Sequence, residues 1–115
     1  MNKTGVLAEQ LAAQYLQRHG LKLLHSNYRR RFGEIDLILQ EGEVHVFVEV
    51  RLRSSTTFGG AAASIDARKQ AKLVRTAQHY LTQQKRIPPC RFDAILMQSA
   101  DGNDIEWVRN AFTAK

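Results

Sequence analysis

Three residues near the middle of the chain have the types and spacing for phosphate or metal chemistry: Asp36, Glu49 and Arg51. Glu49 stands two residues before Arg51 in a run where Val44, Val46, Val48, Val50 and Leu52 alternate with His45, Phe47, Glu49, Arg51 and Arg53. A strict period of two puts the first set on one face of a strand and the second on the other. The first face is aliphatic and reads as core. The second carries a carboxylate beside a guanidinium, and burying charge there is costly unless something pairs with it. Residues 34–39 alternate as well, and a loop centred on Glu41-Gly42 closes a hairpin. That register sets Asp36 opposite Phe47 and Glu34 opposite Glu49, so Glu34, Asp36, Glu49 and Arg51 project to one side. Asp36 and Glu49 are then diagonal neighbours, about 7–8 Å apart at the backbone. Carboxylates that close repel, and a hard divalent cation between them, Mg²⁺ or Mn²⁺, converts the repulsion into binding. One bulge would carry Asp36 to the opposite face.

The elements that must position these residues follow from the rest of the pattern. Residues 4–19 predict a helix closed by Gly20, with Leu7, Ala8, Leu11, Ala12 and Tyr15 as its apolar stripe. Glu9 sits beside that stripe, and by itself reads as a solvated helix-edge glutamate. Residues 21–28 predict a strand. Arg29-Arg30-Arg31 follows, either a solvated turn or a phosphate clamp. Residues 54–64, SSTTFGGAAAS, are a loop: an active-site flap or simple slack, with Phe58 a wedge or a packing anchor. The loop lacks the Gly-Lys-Ser/Thr ending of a phosphate loop.

Residues 65–84 predict a second helix with Ser64 as N-cap and Ala67, Leu73, Val74, Ala77 and Leu81 buried. Arg68, Lys72, Arg75 and His79 share the opposite face. A solvated face usually mixes signs, so this single-sign stripe favours phosphate contact. Lys69 lies on the boundary between the two faces. Strands over 91–97 and 104–109, joined by a turn at 101–103, complete the chain, with Trp107 assigned to the core. The histidines show no ligand spacing and read as structural.

Asp36 followed by Glu49-Val50-Arg51 resembles the PD-(D/E)XK nuclease motif, with Arg51 where a lysine is usual. The wider set includes Gly5, Glu9-x-x-Ala12-x-x-Tyr15-Leu16, Gly33-Glu-Ile-Asp-Leu-Ile and Val46-Phe-Val-Glu-Val-Arg-x-Arg53. Phe58-Gly59, Lys69 and Arg91-Phe92-Asp93 complete it. Taken in order, it resembles the bacterial YraN family, itself similar to archaeal Holliday-junction resolvases, over nearly the whole chain. The resemblance implies a restriction-endonuclease-like α/β fold: a mixed central sheet flanked by helices. It also implies metal-dependent cleavage of DNA, with branched or structured DNA among the substrates. Asp36 and Glu49 would hold the ion with Glu9 as a third acidic group, and Arg51 would act as an electrostatic clamp. Lys69 is the candidate for the missing amine. Arg29, Arg30, Arg31, Arg53, Arg68, Lys72 and Arg75 are the candidate DNA contacts. Resolvase-like enzymes pair up, so a homodimer is expected.

The 115 residues suffice for one domain, 1–115. Hydrophobic content of 43% and charged content of 24% are those of an ordinary globule. No apolar run approaches the ~20 residues of a membrane span, and the opening MNKTGVLAEQ lacks a signal peptide's apolar stretch. Cys90 is the only cysteine, which excludes an internal disulfide and a zinc-finger site. A cytoplasmic location is the expectation. A net charge of +6 favours a polyanionic partner, nucleic acid first. Besides the nuclease, a non-catalytic nucleic-acid-binding module that keeps the fold, or a scaffold protein, would also suit this sequence.

Overall fold

The hairpin predicted by the alternating residues forms, but two residues out of step with the expected register. The computed structural model describes residues 3–52, 65–98 and 104–113. The helix α1 (Lys3–Arg18) is followed by strands β1 (Lys22–Arg30), β2 (Gly33–Glu41) and β3 (Val44–Leu52). Helix α2 (Ala67–Leu81) and strands β4 (Cys90–Met97) and β5 (Glu106–Phe112) follow. Glu41 pairs with Val44, leaving Gly42-Glu43 as a two-residue turn. Gly42 takes φ +60°, a conformation that costs glycine little. Centring the turn one residue later than Glu41-Gly42 moves every pair by two: Phe47 faces Ile38, and Val48 faces Leu37. A shift of two preserves which face each side chain takes.

The five strands form one sheet in the order β1-β2-β3-β4-β5. Only β3 and β4 run parallel. A parallel pair needs a crossover, and α2 lies within it. Each helix covers one face. On the first face, Ala8, Ala12, Ala13 and Leu16 of α1 pack on Leu37, Leu39, Val46, Val48, Ile95 and Met97. On the second, Leu73, Ala77 and Leu81 of α2 pack on Ile38, Phe47, Phe92 and Ala94. The architecture is α/β, a mixed sheet flanked by helices, and is compatible with a restriction-endonuclease-like fold. The face assigned to charge is therefore core over much of its length: His45, Phe47 and Glu49 are all buried.

Several boundaries differ from the pattern. The buried residues of α1 are Ala8, Ala12, Ala13 and Leu16, with Leu11 and Tyr15 partly buried beside them and Leu7 46% exposed. The cap of α2 is Asp66, whose Oδ1 accepts from Lys69 N at 2.9 Å. The helix starts at Ala67, which is exposed, and stops at Leu81 rather than residue 84. Thr76 takes a place in its buried stripe because its Oγ1 donates to the Lys72 carbonyl at 2.8 Å. Trp107 is half-buried rather than core, with its ring edge-on to Tyr15. The last strand runs to Phe112, stacked on Phe92 at 4.8 Å. Arg53, the loop over 54–64 with Phe58, the proposed cap Ser64 and the turn over 101–103 lie outside the described residues. Among those described, no helix is long and apolar enough to cross a membrane.

Candidate functional site

Asp36 sits where β2 stops behaving as a regular strand. Ile35 packs in the core under α2, Leu37 in the core under α1, and Ile38 under α2 again, so alternation breaks between Ile35 and Leu37. On β1, Ser26 pairs with Leu37 and Tyr28 with Ile35, and the intervening Asn27 takes φ +53°. Asparagine tolerates that conformation better than most residues. The paired register of β2 and β3 ends at Leu37–Val48. One step further along β3 from Glu49, the Val50 N–H turns to Asp36 Oδ2 at 2.9 Å. The aspartate side chain thus takes the backbone donor that a continuing ladder would have used, and is fixed beside Glu49.

Glu49 is nearly enclosed, with a side chain 5% exposed. Lys69 Nζ reaches across from the first turn of α2 to Glu49 Oε2 at 3.3 Å, and Arg51 Nη1 stands 3.9 Å from the same oxygen. Burial, then the charge of Asp36, pushes Glu49 up to about 7, although Lys69 pulls it down. Asp36 is also raised, by burial first, while the Val50 N–H and a hydrogen bond from Glu49 lower it. On α1, Glu9 lies within hydrogen-bonding reach of Asn27 and Asp36, and burial followed by the Asp36 charge pushes it up to about 7. These shifts describe a chain of carboxyls. Asp36 is the acceptor, and Glu49 and Glu9 hold protons on either side of it near neutral pH. The three border a pocket of about 230 Å³ with Gly5, Val50 and Arg51. They form a chain rather than a shell: among the described residues, no three His, Cys, Asp or Glu side chains converge so as to hold an ion in this arrangement.

A larger groove of about 900 Å³ opens beside this pair, between the β1–β2 turn and α2. Arg29, Arg30, Arg31, Lys69, Lys72 and Arg75 line it, with Phe32 and Glu34. Glu34 is tied to Arg29 at 3.0 Å and does not pair with Glu49 as the expected register required. Gly33 brings the turn against the helix: a Cβ there would stand 2.5 Å from Thr76 Oγ1. Arg68 is exposed on α2 but does not line the groove.

The structure thus brings Glu9, Asp36, Glu49, Arg51 and Lys69 together and sets five of the seven candidate DNA contacts along one groove. Phe32 and Thr76 were missed by the sequence reading. So was a second acidic centre, Asp93, which accepts from Trp107 Nε1, Arg91 Nε and Asn110 N. Asp93 is fully engaged, and it pins the irregular pairing of β4 with β5. The Arg91-Phe92-Asp93 motif was the available signal, but it gave no hint of that partner set.

The profile of the uncharacterised protein family UPF0102 matches residues 8–97. This chain belongs to that family. The UPF0102 match runs from α1 to the end of β4 and includes every residue of the carboxyl chain together with Arg51 and Lys69. Among similar UPF0102 proteins, one from Nitrosomonas europaea is 61% identical over 105 residues, covering 91% of this chain and 89% of the relative. Another, from Methylobacillus flagellatus, is 54% identical over 114 residues, 99% and 100% of the two chains. A third, from Psychromonas ingrahamii, is 50% identical over 111 residues, 96% and 90%.

Proposed function

We propose that this chain is a metal-dependent endonuclease acting on DNA. In this reading Asp36 and Glu49 hold a divalent cation, and Lys69 takes the part of the lysine in the Asp…Glu-x-Lys pattern. The observation that carries it is the approach of Lys69 Nζ to Glu49 Oε2 at 3.3 Å, beside Asp36. The amine comes from α2 rather than from the strand, and it restores the set that Arg51 leaves incomplete.

The donor chemistry suits Mg²⁺ or Mn²⁺: Asp36 and Glu49 offer hard carboxyl oxygens at a small pocket, where the remaining positions would be left to water, and Glu49 and Glu9 hold protons that a cation would displace. When bound, such an ion supplies Lewis acidity and a water of lowered pKa. The chain's own groups do the rest. Lys72 and Arg75 bind backbone phosphates along the groove. Lys69 donates from its ammonium to a phosphate oxygen or to the attacking water. Arg51 cannot give up its proton at pH 7, so it offsets developing charge and is no base. Glu9, hydrogen-bonded behind Asp36, holds a proton that the cluster can release near neutral pH.

The test is cleavage of labelled duplex, forked and four-way DNA with Mg²⁺ or Mn²⁺, using the parent, Asp36→Asn and Glu49→Gln. Cutting by the parent and by neither variant is expected. A parent that binds these substrates and cuts none with either ion supports the second reading, a non-catalytic DNA-binding module. That alternative draws on Arg51 at the lysine position and on the absence of a converged ligand trio among the described residues.

A further inference from the structure

We infer that the groove beside the carboxyl pair takes an unpaired DNA strand, one of whose bases stacks on the Phe32–Arg75 pair. The inference rests on the preceding reading in taking DNA as the ligand, and it adds the substrate class: a junction between duplex and single strand.

The first support is chemical. A track that only followed duplex phosphates would need cations alone, and this groove carries a phenyl ring among them. Phe32 is half-buried, yet it belongs to neither hydrophobic core cluster. A ring that served as a packing plug would join the cluster under α2, as Tyr28 does four residues earlier. Phe32 instead carries the Arg75 guanidinium 4.5 Å from its centroid and meets the His79 ring edge-on at 5.8 Å. Aromatic rings and guanidinium planes are the surfaces on which unstacked bases rest, whatever the base. In a duplex both faces of each base are covered by neighbours, so only an unpaired base can use such a surface.

The second support is shape. Gly33 meets Thr76 Oγ1 so closely that no side chain fits there, which fixes the turn against α2 and holds the groove open at about 900 Å³. That volume is in the range of a preformed small-ligand site, large enough for a nucleotide unit and its phosphates. The third is position. Lys69 both lines the groove and pairs with Glu49. A strand whose base rests on Phe32 therefore has a phosphate within a few nucleotides of the carboxyl pair.

The deciding experiment measures affinity by fluorescence anisotropy without divalent cation. It compares a labelled duplex with a fork carrying the same duplex and unpaired arms. The parent should bind the fork ~10-fold more tightly, in line with the worth of one stacked base. Phe32→Leu keeps the bulk and removes the ring, and should bring the fork-to-duplex ratio close to one. Phe32→Trp should keep it. Arg75→Gln should lower the ratio in the same direction, and it carries the test should Phe32→Leu fail to melt cooperatively. A parent with no preference, or a preference that survives the loss of the ring, overturns the inference. A parent that binds duplex in a salt-dependent way without any fork preference sinks this inference alone. A parent that binds neither DNA sinks the endonuclease reading with it.

Discussion

Lys69 Nζ stands 3.3 Å from Glu49 Oε2, closer than Arg51 Nη1 at 3.9 Å, although Arg51 is on the same strand as Glu49 and Lys69 is not. The nearer cation is the one that a crossover helix delivers. Lys69→Met should therefore lower the single-turnover cleavage rate at saturating protein by ~10²-fold while DNA affinity changes little. Arg51→Lys should retain activity, since it keeps a positive charge at the same position. Equal loss of affinity and rate in Lys69→Met would instead make Lys69 one more phosphate contact.

Stability should depend on pH with an unusual sign. Glu49 and Glu9 titrate near 7 in the folded state against 4.5 for an unperturbed glutamate. The folded protein thus binds more protons than the unfolded chain between about pH 4.5 and 7. Metal-free protein should lose stability as pH rises through that window, by roughly 3 kcal/mol for the buried Glu49 alone. Glu49→Gln should flatten the curve. A denaturation midpoint that rises over the same interval in the parent would contradict the protonation pattern.

Cation binding should show the complementary dependence. Mn²⁺ should raise the thermal midpoint by mass action on the folded state, and more at pH 8 than at pH 6, because the ion competes with the protons on Glu49 and Glu9. Asp36→Asn should remove the rise. An identical rise in parent and variant would place the ion elsewhere.

The groove predicts which cations matter for DNA. Replacing Lys72 and Arg75 together by Ala should flatten the slope of log affinity against log salt by about 2 units. Arg68→Ala should change it by less, since Arg68 does not line the groove although it belongs to the same helical stripe. Titrations at several salt concentrations distinguish the two.

That contrast marks how far the sequence could be read. The alternation over residues 44–52 was enough for a strand and for the side of Glu49. It could not locate the turn, because Glu41-Gly42 and Gly42-Glu43 are both plausible centres, and one residue there moves the register by two. From Leu37 along the hairpin the face assignment survived, since a shift of two preserves parity, whereas Ile35 changed face at the break in alternation beside Asp36. The helical pattern alone showed Lys69 as a boundary position, and the family resemblance marked it as the candidate amine. Its reach to Glu49 depends on β3 and β4 being parallel, a long-range pairing with no local signal. The burial of Thr76 escaped a stripe drawn from apolar residues, because a hydroxyl bonded back to its own helix packs like one. Phe32 escaped for the opposite reason: an aromatic residue beside three arginines looks like a turn until α2 closes over it.

The parallel pairing of β3 with β4 also sets an order of assembly. Strands β1, β2 and β3 are consecutive and joined by short turns, whereas β4 can pair only after the crossover has closed a long loop. The β2–β3 hairpin must therefore bring Asp36 beside Glu49 before Lys69 arrives from α2. At alkaline pH two carboxylates meet with Arg51 beside them and Lys69 still absent, so the repulsion that weakens the finished protein is already felt at the folding barrier. Refolding should slow as pH is raised from 5 to 8. Asp36→Asn should abolish that slowing. Lys69→Met should leave it intact and show its cost in faster unfolding, because the lysine joins the pair only on the native side of the transition state.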